Sequence, residues 1–138
     1  MSAIEARRPV ARRFAVEAAQ LASHTHCNDV KLLDVIGISP VTDYFVIATG
    51  TSPRQMRTIV DELNDLAERH GYSCHTCSGY EGETWIVADF IDVVIHLFSS
   101  EARSYYDLDN LWGDAKAVDW QGEPVDTESP AAAAVAGR

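Results

Sequence analysis

One short segment of this chain, residues 44–49, restricts the fold more than any other. It reads Tyr-Phe-Val-Ile-Ala-Thr, and so apolar a run of rings and branched side chains is typical of a central strand covered on both faces. A helix start follows directly. Ser52 can accept from the N–H of Gln55, the Gln55 side chain can reach back to the N–H of Ser52, and Pro53 suits a first helical turn. The chain therefore needs a layered fold in which helices cover a sheet.

The remaining patterns complete this layered arrangement. The helix after Pro53 has a buried stripe at helical spacing, formed by Met56, Ile59, Val60, Leu63 and Leu66 or Ala67, and it ends at Gly71. The other predicted elements are a helix from Pro9, strands over 30–36, 72–76, 85–88 and 93–98, and a last helix from Ser99 or Ser100 to Gly113. We therefore predict an α/β fold with a single mixed five-stranded sheet flanked by helices. One domain covers 9–120, between a flexible basic arm at 1–8 and a disordered tail at 121–138.

The charge of the chain is concentrated in its second half. Residues 81–128 carry twelve Asp or Glu and two Lys or Arg, which equals the net charge of −10 for all 138 residues. Large rings alternate with these acids: Trp85, Phe90, Phe98, Tyr105, Tyr106, Trp112 and Trp120. An acidic and aromatic surface repels nucleic acid and attracts a basic protein partner. The alternative is a solvated acidic surface over an ordinary core.

Composition excludes several other classes of protein. No apolar run approaches the ~20 residues of a membrane span. The arginines near the N-terminus, among them Arg7, Arg8 and Arg12, precede no apolar block, so this segment is not a secretory signal. Three cysteines, an odd number, fit a reducing compartment better than a disulfide framework. We therefore expect a cytoplasmic protein.

Three longer strings resemble one family. They are Gly-Ile-Ser-Pro-Val-Thr-Asp-Tyr-Phe-Val-Ile-Ala-Thr-Gly-Thr-Ser-Pro-Arg-Gln at 37–55, Trp-Ile-Val-Ala-Asp-Phe-Ile-Asp-Val-Val-Ile-His at 85–96, and Arg-Ser-Tyr-Tyr-Asp-Leu-Asp-Asn-Leu-Trp-Gly-Asp-Ala at 103–115. In sequence, order and spacing they resemble the ribosomal silencing factor family, also called Iojap-like proteins. The resemblance covers about 18–118.

This resemblance implies a function and a fold. Members of the family are not known as enzymes, and no cofactor is implied. They bind the large ribosomal subunit through ribosomal protein uL14, block its joining with the small subunit, and reduce translation when nutrients are scarce. The fold implied is a nucleotidyltransferase-like core without the catalytic site. The partner-facing side chains implied are those of Trp85 and Tyr106.

The acidic side chains near these two rings complete the predicted binding site. We expect Trp85 and Tyr106 to act as apolar anchors, with Asp89, Asp92, Glu101 and Asp109 pairing with Lys or Arg of the ribosomal protein. Trp85, Val87 and Asp89 alternate along one strand face, a mixture that suits a binding surface. The edge of the last helix formed by Tyr105, Leu108, Leu111 and Trp112 is expected to be mostly core. An apolar sheet face left free could also support a homodimer.

One position departs from the pattern of the family. The hairpin of the family usually reads Asp, aromatic, Gly, Asp, and Ile91 replaces the glycine here. A β-branched residue resists positive φ. Either this turn does not need that conformation or the turn is reshaped, which leaves the direction of Asp89 and Asp92 open.

Rival functions have weaker support in the sequence. Asp89 and Asp92 could be the metal pair of a nucleotidyltransferase-like enzyme, but they are three residues apart and do not share a strand face by default. The Gly50 turn could hold a phosphate, although no phosphate-loop lysine follows. An acid–base pair of His96 with Asp92 is excluded by distance, since residues four apart on a strand lie about 13 Å from each other. A hydrogen-bonded position in the sheet is the simpler interpretation of His96.

A metal site is the third alternative. Cys74 and Cys77, with His24, His26 and Cys27, offer enough ligands for zinc. However, the pair lies in a predicted strand, where residues three apart face opposite ways, and no second pair with ligand spacing exists. Semi-buried thiols are the simpler interpretation.

Overall fold

The structure is a computed structural model, which describes residues 3–82, 84–106 and 113–121. Side chains are described for 9–82, 84–104 and 113–121. No helix among the described residues is long and apolar enough to cross a membrane.

Three helices and six strands make up the described part of the chain. In chain order they are α1 (Ala3–His24), β1 (Asn28–Asp34), β2 (Tyr44–Thr49), α2 (Pro53–Arg69), β3 (Thr76–Ser78), β4 (Trp85–Asp89), β5 (Val93–Phe98), α3 (Ser100–Tyr106) and β6 (Lys116–Ala117). The strands form one sheet in the order β3-β4-β5-β2-β1-β6. Only β2 and β5 run parallel, and the other neighbouring pairs are antiparallel. The predicted mixed sheet flanked by helices is therefore confirmed.

The two central strands β2 and β5 are covered on both faces. Every residue of both strands is buried, as the apolar run at 44–49 predicts. On one face, α1 and α2 pack over the sheet and form the larger core, with Phe14, Ile59, Leu63, Val46 and Ile95 among its buried side chains. On the opposite face lies a smaller cluster, which consists of Leu33, Val35, Phe45, Ile47, Val94, Phe98 and Ala102. This second face positions the candidate functional site.

The start of α2 matches the predicted cap except in one contact. The Ser52 Oγ accepts from the N–H of Gln55 at 3.1 Å, and the stripe from Met56 to Ala67 is buried. The Gln55 Oε1, however, accepts from the N–H of Thr51 at 2.7 Å and not from that of Ser52. Its Nε2 donates to the carbonyl of Thr25 at 2.7 Å. Gln55 therefore ties the start of α2 to the end of α1, a contact that local sequence does not reveal.

The sheet has six strands, so the prediction of five was wrong by one. The missed strand, β6, is exposed and pairs only through Leu33↔Ala117 and Asp34↔Lys116. A strand of two residues is too short to show the alternation of side chains by which strands are recognised in a sequence. Beyond it, the indole Nε1 of Trp120 donates to the carbonyl of Val30 at 3.3 Å. Side-chain contacts of this kind, rather than propensity, hold the segment on the edge of β1.

The ends of several elements also differ from the predictions. The first helix begins at Ala3, ahead of Pro9, which therefore lies within the helix, and residues 3–8 contain good helix formers. Strand β1 lies at 28–34 and β3 at 76–78, each shifted by a few residues from its prediction. The last helix is described to Tyr106. Its predicted continuation over 107–112 and most of the predicted tail lie outside the described residues.

Candidate functional site

Strand β4 presents a half-exposed row of side chains on the sheet face away from α1 and α2. Trp85, Val87 and Asp89 are half-buried, while Ile86 and Ala88 between them are buried. Trp85 and Val87 pack against the smaller cluster, whereas Ile86 and Ala88 belong to the larger core. The three predicted residues therefore do share one face, and that face is only partly covered.

Trp85 is held in place by the neighbouring strand. Its ring stacks on Phe98, with centroids 4.9 Å apart and planes inclined by 25°. Its indole Nε1 donates to the Nδ1 of His96 at 3.2 Å. The antiparallel register, in which Trp85 faces Phe98 and Val87 faces His96, sets both contacts. The indole is thus partly exposed and at the same time restrained.

His96 is buried beside the smaller cluster, between the rings of Phe45 and Trp85. Its ring meets Phe45 edge-on, with centroids 5.2 Å apart. Burial lowers the pKa of His96 to about 4, against an opposing effect from Asp89, so the imidazole is neutral at neutral pH. The predicted hydrogen-bonded place in the sheet is confirmed by the Trp85 contact. Its Nε2 is buried without a hydrogen-bond partner in the described part of the chain.

The two hairpin aspartates have different environments. The Asp89 Oδ1 accepts from the N–H of Ile91 at 2.7 Å and remains partly exposed. Asp92 is only 8% exposed, and its Oδ2 accepts from the hydroxyl of Tyr72 at 2.9 Å. The prediction of Asp92 as a surface contact is therefore corrected, because its carboxylate is engaged inside the protein.

Ile91 shows that the hairpin does require a left-handed residue. Its φ is +74°, and its side chain is 53% exposed. The turn keeps the conformation for which the family usually has glycine, although an L-residue in this region costs about 1–2 kcal/mol. The Asp89 carboxylate and the Asp92 backbone hold it there: Asp89 accepts from the N–H of Ile91, and the N–H groups of Asp43 and Tyr44 both donate to the Asp92 carbonyl at 3.1 Å.

Replacing Ile91 with glycine should therefore stabilise the protein. We expect Ile91→Gly to raise the free energy of unfolding by about 1 kcal/mol, since relief of the left-handed strain outweighs the added freedom of the unfolded chain. Urea unfolding measures this. Val41→Gly is the matched control, because Val41 is also exposed but has no positive φ, and it should not stabilise. An Ile91→Gly protein less stable than the parent would show that the turn is unstrained.

Helix α3 borders the same face of the sheet. Glu101 is exposed in its first turn, and Ala102 is buried against the smaller cluster. Arg103, which no sequence pattern marks as functional, donates through one guanidinium nitrogen to the carbonyl of Asp29 and to the hydroxyl of Thr49, at 2.6 and 3.0 Å. It fixes α3 to β1 and β2. The side chain of Tyr106 and the whole of Asp109 lie outside the described residues.

The structure also describes the residues of the two alternative sites, the Gly50 turn and the cysteine pair. At the Gly50 turn, a Cβ would lie 2.3 Å from the Cγ of Met56, and Gln55 already occupies the N–H of Thr51. Met56 thus accounts for the glycine at position 50, and Gln55 accounts for one N–H of the turn, without any ligand. The Sγ of Cys74 donates to the carbonyl of Thr76 at 3.1 Å. Within the described ranges, no group of three or more His, Cys, Asp or Glu is arranged to hold a metal ion.

The fold and this face together define a small α/β protein with a restrained aromatic side chain on a partly open sheet face. A family model described as "Ribosomal silencing factor during starvation" matches residues 9–137, a longer range than the 18–118 of the resemblance. The chain belongs to the ribosomal silencing factor family.

Individual relatives agree with this assignment. The ribosomal silencing factor RsfS of Bacillus subtilis is 39% identical over 102 residues, covering 74% of this chain and 86% of the relative. The mouse protein named "Mitochondrial assembly of ribosomal large subunit protein 1" is 31% identical over 97 residues, covering 67% of this chain and 42% of the relative. A crystal structure from Bacillus halodurans superposes with a TM-score of 0.64 at 33% identity, covering 78% of this chain and 95% of that one.

Proposed function

We propose that this protein represses translation by binding the large ribosomal subunit at ribosomal protein uL14 and blocking its association with the small subunit. Family membership and the names of the relatives support a ribosomal role, and the mouse relative's name mentions the large subunit. The observation that carries the proposal is Trp85, a half-exposed indole held by Phe98 and His96 on a partly open sheet face. Such a restrained ring is an efficient anchor because little freedom is lost on binding.

Charge determines the kind of partner that fits this face. The acidic second half repels ribosomal RNA and favours a basic ribosomal protein. Trp85 and Tyr106 supply the apolar contacts, and Asp89, Glu101 and Asp109 meet Lys or Arg of the partner. Asp92 is left out of this set because it is buried.

The mechanism is steric exclusion and needs no catalytic turnover. An interface of roughly 1,600 Å² is sufficient for stable binding. A protein that occupies the surface of the large subunit facing its partner prevents the small subunit from occupying the same volume. We place this activity in the cytoplasm, where the subunits join. A homodimer through an apolar sheet face left free stays a prediction.

Association should depend strongly on salt. Because the proposed face is acidic and its partner basic, we expect kon for large subunits to fall on the order of tenfold between low and high salt, with a smaller change in koff. Surface-immobilised protein and purified large subunits provide the measurement. Glu101→Gln removes one exposed charge and should flatten the salt dependence. A kon that does not change with salt would contradict the electrostatic part of the proposal.

The binding claim itself is tested by co-sedimentation with purified subunits. The protein should pellet with large subunits and stay in the supernatant with small subunits at the same concentration. Pelleting with both, or with neither, contradicts the proposal.

A further inference from the structure

His96 provides a directed contact to the indole of Trp85. Stacking on Phe98 restrains the plane of the indole, but two orientations related by a flip of the ring keep the same plane against Phe98. The hydrogen bond from Nε1 to the Nδ1 of His96, at 3.2 Å, selects one of these orientations. The edge of Trp85 that faces outward is therefore defined by His96.

If His96 served only to pack the space between its neighbours, a histidine would be less favourable for stability here than an apolar ring. His96 is 8% exposed, and with Nδ1 accepting, the neutral ring carries its proton on Nε2. That nitrogen has no hydrogen-bond partner among the described residues, and a buried unsatisfied donor is destabilising. A phenylalanine would fill the space between Phe45 and Trp85 without this cost. What phenylalanine lacks is an acceptor for the indole.

We propose that His96 is a positioning residue for partner binding, which holds the Trp85 indole in the single orientation that the partner recognises. This inference rests on the proposed function and adds to it a residue that does not touch the partner. The contribution is preorganisation: the orientation is fixed before the encounter, so less rotational freedom is lost on binding. The lowered pKa of His96 is consistent with this role, since a neutral ring keeps its acceptor at neutral pH.

Two substitutions separate the acceptor from the ring. His96→Phe keeps an aromatic ring and removes the acceptor, whereas His96→Asn removes the ring and keeps an acceptor close to the position of Nδ1. We expect His96→Phe to weaken binding to purified large subunits about tenfold, within the range for one side chain that must be ordered on binding. We expect His96→Asn to retain most of the affinity. If His96 acted only through packing, His96→Asn would weaken binding more than His96→Phe, because the smaller side chain leaves the larger cavity.

The orientation of Trp85 can be observed without any ribosome. The indole N–H resonance of Trp85, assigned by its loss in Trp85→Phe, should move toward that of a water-exposed indole in His96→Phe and stay near its original position in His96→Asn. A double-mutant cycle with Trp85→Phe provides a second measurement: in that background, His96→Phe should cause no further loss of affinity. This comparison also controls for any general effect of the substitution on folding.

The outcomes distinguish this inference from the proposed function. Unchanged affinity in His96→Phe overturns the inference, whether or not the indole resonance moves, and so does a full additional loss in the Trp85→Phe background. If the parent protein does not bind large subunits at all, the proposed function fails. The resonances in His96→Phe and His96→Asn then decide by themselves whether His96 orients the indole.

Discussion

Replacing Trp85 with alanine should lower the affinity for large ribosomal subunits about 30-fold, or about 2 kcal/mol. The half-exposed indole offers the partner a large apolar surface whose orientation is already set by Phe98 and His96. Alanine removes this surface and leaves Phe98 and His96 with a shallow depression that the partner does not fill. Equilibrium binding of labelled protein to purified large subunits measures the change.

A second tryptophan provides the control for Trp85→Ala. Trp120 lies beyond β6, at the opposite edge of the sheet from β3 and β4, where it donates to the carbonyl of Val30. Trp120→Phe should leave the affinity nearly unchanged, because that edge is not part of the proposed contact. Thermal unfolding establishes that both variants are folded. A folded Trp85→Ala protein with the affinity of the parent would remove Trp85 from the binding site.

Replacing Gly79 with alanine should destabilise the fold by about 3 kcal/mol. Gly79 has φ +82°, and a Cβ at this position would lie 2.0 Å from the carbonyl oxygen of Trp85 and 3.2 Å from its carbonyl carbon. These are backbone atoms of β4, so no side chain can simply rotate away. Since the displaced residue is Trp85 itself, Gly79→Ala should also weaken binding to large subunits.

Gly37 separates the two causes of this effect. It has φ +83°, but nothing lies within 4 Å of the position of its Cβ. Gly37→Ala therefore carries only the left-handed strain, about 1 kcal/mol. Urea unfolding compares the two variants. Equal losses of stability in both would show that the backbone of β4 yields easily, and the close approach of Gly79 to Trp85 would then have no structural importance.

The parts of the fold that could be predicted are those that depend on nearby residues. Strand β2 was found from its own apolar run, and α2 from the pairing of Ser52 with Gln55 and from its buried stripe. In both cases, residues within a few positions of one another supply the hydrogen bonds and the burial. The helix-forming residues before Pro9 were missed because proline was interpreted as a start and not as a residue within the helix.

The parts that could not be predicted depend on distant contacts. Strand β6 exists because Lys116 and Ala117 pair with β1, which lies far away in the sequence. Asp92 resembles any hairpin acid, and only the hydroxyl of Tyr72, twenty residues earlier, shows that it points inward. The contact between Trp85 and His96 follows from the register of β4 and β5. No single-sequence pattern specifies that register, although the alternation along β4 did predict that Trp85, Val87 and Asp89 share one face.

The sequence raised the question of the backbone conformation at Ile91, and the structure answers it. The sequence showed that glycine was replaced, and the alternatives were a turn without positive φ or a reshaped one. The structure keeps positive φ and places an isoleucine in it. The hydrogen bonds around Asp89 and Asp92 thus determine this turn more strongly than the preference of its central residue.

Subunit joining in a reconstituted system tests the central claim most directly. Purified large and small subunits are mixed at a magnesium concentration that supports joining, with the protein in excess over large subunits, and are separated on a sucrose gradient. The account predicts that the parent protein leaves the two subunits as separate peaks, while Trp85→Ala at the same concentration allows them to join. Normal joining in the presence of excess parent protein would contradict the account.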